Sequence, residues 1–340
     1  MFGLGWLRAL TDARGLLEHA HHGVPRLGEG YTTDDNARAL LYLSLLPEGA
    51  RDEGLVRTYL AFLLHMQKED GRFRNGLTLD GRFEDEGEAE DPTGRAVLAL
   101  AAAQRLPPPY AGPAREALLR ALPALEGFTS LRGRAYALLG LLALPKEPFL
   151  EAAEALGEGL LRAFREAEPA WPYPGPLTYA NHRPVEALYA YGLAFRRQEA
   201  VALARRALAF LKEHYFTPGE EGLFFDPVGN RFMARGRDKP LFDQQPIEAK
   251  CALLAHLRFG ERVLAEVAFL WFHGRNRLRA PLVDAFGPMD GLSPLGPNHN
   301  RGAEAVLAYL LAWQALVQGV FPQVDEGVAL GRVFALGGRP

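Results

Sequence analysis

The sequence predicts an all-α protein, an (α/α)6 barrel over residues 1–340 with short β-hairpins in the loops at one end, and three observations predict it. About a dozen stretches carry helical spacing of apolar residues. They alternate between segments apolar on every side and segments with one charged face. The polar turn and helix start at Gly30 to Leu41, GYTTDDNARALL, recurs in altered form five more times, each time leading into an Ala-rich helix. A ring of six helix pairs, each burying its face on its neighbours, accounts for all three.

Taken in order, the spacing predicts helices over Trp6–His19, Asp34–Leu46, Asp52–Gln67, Thr93–Gln104, Pro113–Leu125, Leu131–Leu144 and Glu147–Arg165. Five more follow at Pro184–Phe195, Glu199–His214, Pro246–Leu257, Glu261–Phe272 and Gly302–Val317. Gly and Pro stand at the breaks, where helices stop. ARALLYLSLL, GRAVLALAAA, GRAYALLGLLAL, PVEALYAYGLA, PIEAKCALLA and GAEAVLAYLLA are the wholly apolar set and form the inner ring. EGLVRTYLAFLLHMQ, PAREALLRALPAL and EAVALARRALAFLKEHY are amphipathic and belong outside. Residues 318–340 read as a tail that packs on the barrel surface.

Composition narrows the function classes. Hydrophobic residues make up 48% of the chain, enough for a large core, and a formal net charge of -3 leaves no basic excess for nucleic acid or an anionic membrane. The single Cys251 excludes an intrachain disulfide and reads as a small core residue. The N-terminus lacks the pattern of a secretory signal, and no apolar run approaches membrane length, so a cytoplasmic protein is expected. Arg outnumbers Lys 33 to 5, which fits a GC-rich thermophile.

Aligning the inner helices on a shared Ala gives a register. The residue before that Ala is Arg38, Arg95, Arg134, Glu186, Glu248 and Glu304 in turn. One turn earlier stand Asp34, Asp91, Ser130, His182, Gln244 and Asn300, preceded by Thr33, Glu90, Thr129, Asn181, Asp243 and His299. The deeper ring reads as a belt in which Arg38, Arg95 and Arg134 pair with Glu186, Glu248, Glu304 or nearby acids, because buried charges require partners. Connections from outer to inner helices are long and the reverse ones short. The elaborated loops therefore gather at the polar end, where binding and catalysis concentrate on rigid scaffolds. Two of these loops, GRFRNGLTLDGRFED and GLFFDPVGNRFMA, read as hairpins. Trp171, Tyr173, Tyr179, Phe224 and Phe225 are the aromatic side chains available there.

The segments HHGVPRLGEGYTTDDNARALL, EAEDPTGRAVLALA, FDQQPIEA and MDGLSPLGPNHNRGAEAVLAYLLA resemble a family of six-hairpin glycosidase-like domains, found alone or fused to glycosyltransferases. The resemblance spans nearly the whole chain. It implies a carbohydrate context, with the active site in the cleft at the loop-rich end, and a glycosyltransferase as a possible partner.

Glycoside hydrolysis needs one protonated carboxyl and one ionised carboxylate. Two adjacent acids exceed what one helix cap requires, so Asp34 and Asp35 are catalytic candidates beside their capping role, as are Glu90 and Asp91 on the next inner helix. Asp243 and Glu304 compete with them. Arg38, Arg95, Trp171, Tyr173, Asn181, His182, Asp243, Gln244, Gln245, Asn300 and Glu304 are candidates for holding sugar hydroxyls or stacking on a pyranose face. The HAHH run of His19, His21 and His22 reads as polar surface rather than a metal site, no Gly-rich phosphate loop is present, and no cofactor is expected. The alternative to an enzyme acting on an oligosaccharide is a noncatalytic glycan-binding or scaffolding partner of a glycosyltransferase.

Overall fold

The computed structural model describes residues 3–84, 90–144 and 146–320. Its helices, in chain order, are α1 (Leu4–Leu10), α2 (Thr33–Leu45), α3 (Glu53–Met66), α4 (Glu90–Ala102), α5 (Pro108–Ala121), α6 (Leu131–Leu141), α7 (Phe149–Glu166), α8 (His182–Ala194), α9 (Gln198–Tyr215), α10 (Pro246–Arg258), α11 (Arg262–Leu270) and α12 (Ala303–Gln318). The even-numbered helices form the inner ring, each packing on the next and α12 closing back on α2. The odd-numbered helices pack outside them. The sequence pattern causes this sorting: α2 buries nearly every residue after Asp34, whereas α7 buries one stripe that includes Phe149, Leu156, Leu160 and Phe164.

Caps fix the helix starts. The Thr32 hydroxyl accepts the Asp35 N–H, Asp52 accepts that of Leu55, and Ser130 accepts that of Gly133. Glycines set the closest approach in the ring. A Cβ at Gly94 would lie 2.4 Å from the Gly133 carbonyl oxygen, and one at Gly140 would lie 2.7 Å from Leu98 Cα, so α4 and α6 meet backbone to backbone. Among the described residues no helix is long and apolar enough to cross a membrane.

Three expectations change. The helix expected over Trp6–His19 ends at Leu10, because the Asp12 carboxylate accepts the N–H groups of Arg14 and Gly15 and turns the chain. Thr11 then bridges to Leu16, and Leu17 to Tyr31. Gly76–Leu77 pairs with Phe83–Glu84 as the first hairpin reading expects, but the second hairpin is Phe216–Gly219 with Gly222–Phe225, turning at Glu220–Glu221 rather than at Gly229–Asn230. Further two-stranded pairs form at 20–25, 283–288 and 291–298. Arg134 departs from the belt. It points between α6 and α7, where its guanidinium donates to the carbonyls of Phe128 and Gly159, while Arg132 takes the inward position. Of the tail expected at 318–340, residues 321–340 lie outside the described residues.

Candidate active site

The N-terminal ends of α2, α10 and α12 converge on a cavity of about 360 Å³. Its lining includes five carboxylates, Glu18, Asp34, Asp35, Asp290 and Glu304, together with Arg38, His19, Asn75 and Gln245. Gly30, at φ 70° with the Leu77 carbonyl where a Cβ would sit, lets the chain enter α2 from the strand Tyr31–Thr32. The backbone of Glu18 is clamped between this entry and the last inner helix: its N–H donates to the Gly30 carbonyl, and its own carbonyl accepts from Ala303. Asp290 is held by the Gly302 N–H at 2.6 Å. The early end of α1 thus delivers Glu18 to the pocket.

Charge in the pocket is only partly compensated. The Arg38 guanidinium bridges Asp35 and Glu304, the latter at 3.0 Å, and Asp35 also accepts the Thr32 hydroxyl. Asp34 pairs with Arg95 through one carboxylate oxygen, and its Oδ1 has no hydrogen-bond partner. Glu18 and Asp290 face the same space without an arginine. Burial, followed by the charge of Asp35, pushes the Glu18 carboxyl up to about 7 although His19 opposes the shift. Burial likewise raises Asp290, against the pull of the Gly302 N–H and with Glu304 and Asp35 adding to it. Asp35 is raised by burial despite Arg38. Carboxyls that keep protons toward neutrality beside ionised ones are the requirement for acid–base chemistry.

Of the residues the sequence marks as candidates, Asp34, Asp35, Arg38, Gln245 and Glu304 line this pocket. Arg95 lies behind Asp34. Glu90 accepts the N–H groups of Thr129 and Ser130 at the start of α6. Asp91 accepts from Arg132 at 2.7 Å and Tyr179 at 2.9 Å; burial raises its carboxyl, but Arg132 and the Ser130 hydroxyl prevail and hold it below its usual value. Arg132 in turn lies 4.0 Å over the Tyr179 ring. Asn181 is buried against the Tyr215 hydroxyl, and His182 packs edge-on to that same ring and against His256, behind α8. Gln244 is buried between Asp226 and Trp271. Asp243 is exposed with φ 60°, and the Asn300 side chain accepts the His22 N–H. Trp171 and Tyr173 border a separate cavity of about 500 Å³ with Glu168, Pro176 and Arg235.

Glu18, His19, Asn75 and Asp290 line the pocket without having been marked. Asn75 stands in an Asn-Gly pair, and Asp290 lies in one of the segments that carry the family resemblance, so both had a signal. Glu18 had none, because it reads as the last turn of a helix. Among the described residues no group of three or more His, Cys, Asp or Glu side chains is arranged to hold a metal ion.

No protein-family model and no curated protein matches the chain. Its fold is that of the six-hairpin glycosidase-like (α/α)6 toroids. The cellobiose 2-epimerase of Bacillus thermoamylovorans superposes with a TM-score of 0.68 at 8% identity, covering 91% of this chain and 95% of its own. A D-mannose isomerase gives 0.67 at 11% identity over 93% and 95%. The GH76 α-mannanase of Bacteroides thetaiotaomicron gives 0.63 at 10% over 98% and 95%. At these identities the likeness establishes the fold.

Proposed function

We propose that the protein is a glycoside hydrolase that cleaves an oligosaccharide in the α2–α10–α12 pocket. The observation that carries the reading is Glu18, a carboxyl raised to about 7 in a cavity it shares with four other carboxylates. Glu18 is the general acid: it gives its proton to the glycosidic oxygen as the bond to the anomeric carbon breaks. Asp34 is the base. Arg95 holds one of its oxygens, and the carboxylate takes a proton from the water whose hydroxyl adds to that carbon. The remaining carboxylates favour positive charge as it develops on the sugar ring. The structural neighbours include a mannanase, which agrees with this chemistry on the same scaffold.

A second reading follows from His19, whose ring nitrogen lies 3.5 Å from Glu18. Such a pair can move a proton at a carbon beside a sugar carbonyl, and several neighbours are epimerases or isomerases. The noncatalytic alternative, a glycan-binding partner of a glycosyltransferase, does not call for an acid with a raised pKa. An oligosaccharide panel assayed for new reducing ends, with wild type, Glu18→Gln and Asp34→Asn in parallel, tests the proposal. Hydrolysis lost by at least about a hundredfold in both variants is expected, and release that is absent or indifferent to both rejects it.

A further inference from the structure

Below the pocket, the barrel axis is filled by side chains from five inner helices: Arg38 of α2, Arg95 of α4, Tyr136 of α6, Arg183 of α8 and Lys250 of α10. All are buried, with exposures of 6, 3, 2, 3 and 2% respectively. The Arg95 and Arg183 guanidinium carbons lie 4.7 and 5.6 Å from the centre of the Tyr136 ring. Each arginine spends part of its guanidinium on an ion pair, Arg38 with Asp35 and Glu304, Arg95 with Asp34, and Arg183 with Glu186. Those pairs leave the Nε atoms of all three, Nη2 of Arg95 and the Tyr136 hydroxyl without hydrogen-bond partners. Lys250 makes no hydrogen bond or ion pair with any described residue.

Buried donors are normally satisfied by protein, water or an ion. On these five side chains the unsatisfied groups are donors, four of the five on arginines, and the unpartnered acceptors near them are Asp34 Oδ1 and Glu248 Oε2, each on a carboxyl already engaged elsewhere. Glu248, the nearby acid on the same helix, offers little compensation. Its carboxyl is pushed by burial up to about 8, and its Oε1 accepts the Ala180 N–H instead. Burial also lowers the Lys250 ammonium to about 8, with Arg183, Arg38 and Arg95 adding to the effect against an opposing pull from Cys251, as expected of an uncompensated lysine among arginines. An anion only accepts, and it balances the Lys250 ammonium, the arginines being matched already by Asp34, Asp35, Glu304 and Glu186.

We propose that the axis of the barrel, beneath the pocket, binds a small inorganic anion of chloride size, held by Lys250, Arg95, Arg183 and the Tyr136 hydroxyl. When bound, the ion forms part of the pocket floor. It shares Arg95 with Asp34, and it does not depend on which sugar reaction the pocket performs.

Crystals grown with bromide in place of chloride test the site directly. An anomalous peak within hydrogen-bonding reach of Lys250 Nζ and Tyr136 Oη is expected; an axis holding only water, or a peak confined to the pocket above Arg38, overturns the proposal. In solution, replacing gluconate by chloride at constant ionic strength should raise the unfolding midpoint saturably, by about 3 °C. Tyr136→Phe should raise the half-saturating chloride concentration about tenfold, and Lys250→Met should abolish the response. A chloride response unchanged in both variants counts against the site. If Lys250→Met fails to fold, the wild-type bromide map and Tyr136→Phe decide the matter.

Discussion

Replacing Glu18 by Gln should cost activity and return stability, and the size of the second effect follows from the pocket. The ordinary value for this carboxyl is 4.5, and burial with the charge of Asp35 raises it to about 7 in the folded chain. Between those values the unfolded chain has released a proton that the folded chain still holds. Folding is therefore unpenalised below 4.5, loses stability as pH rises toward 7, and stays at the lower level above it. At about 1.4 kcal/mol per tenfold the gap amounts to about 3 kcal/mol. The side chain is 33% exposed, so solvent screening reduces the figure to about 2 kcal/mol. Gln keeps the shape without the ionisation. Urea unfolding of both proteins at pH 4.5 and pH 8 should show the variant gaining about 2 kcal/mol on wild type between the two conditions. An equal difference at both values would mean that Glu18 titrates normally, and the general-acid assignment would fall with it.

Other expectations concern neighbouring positions. Asp91→Asn should lower stability by about 2 kcal/mol by weakening the Arg132, Ser130 and Tyr179 contacts, yet leave turnover within about twofold because the side chain lies outside the pocket; denaturation and initial rates measured together check both. Arg38→Met leaves Asp35 buried without its cation and should cost about 4 kcal/mol, visible as a lower urea midpoint at pH 7. Gly94→Ala places a methyl against the Gly133 carbonyl and should destabilise by about 3 kcal/mol, read from the thermal midpoint; an unchanged midpoint would refute the close α4–α6 approach. Wild-type kcat/KM should fall as pH rises through about 7, the value of the acid that must be protonated, and a flat profile there would count against Glu18.

The ring was legible because its signal is redundant. Helices such as α4, with Pro92 to Ala102 all buried, can be read as internal from any window of the sequence. The charged register was legible where one arginine was available, at Arg38 and Arg95. It slipped at α6, where SLRGRAY offers Arg132 and Arg134 two residues apart and only packing decides which one points inward. The pocket was half legible. Asp34, Asp35 and Glu304 belong to helix starts with a repeating pattern, whereas Glu18 and Asp290 sit in irregular chain whose course is set by tertiary hydrogen bonds to Gly30, Ala303 and Gly302. Leu7, Leu10 and Leu17 keep helical spacing through the Asp12 turn, so apolar periodicity alone concealed the break that frees Glu18. Of the candidates that lie elsewhere, Glu90, Asn181 and Gln244 are polar groups that hydrogen-bond the protein's own backbone and buried side chains, a use that sequence does not distinguish from ligand binding, whereas His182 is buried by ring contacts with both nitrogens unpartnered.

A proton NMR time course of an oligosaccharide with the wild-type protein, run beside Glu18→Gln at pH 6, tests whether the pocket hydrolyses a glycosidic bond through Glu18. Loss of the glycosidic anomeric signal and growth of reducing-end signals are expected with wild type, and an unchanged spectrum with the variant. Interconversion of the reducing-end sugar with every glycosidic bond intact, or cleavage at the same rate by Glu18→Gln, would contradict hydrolysis through Glu18.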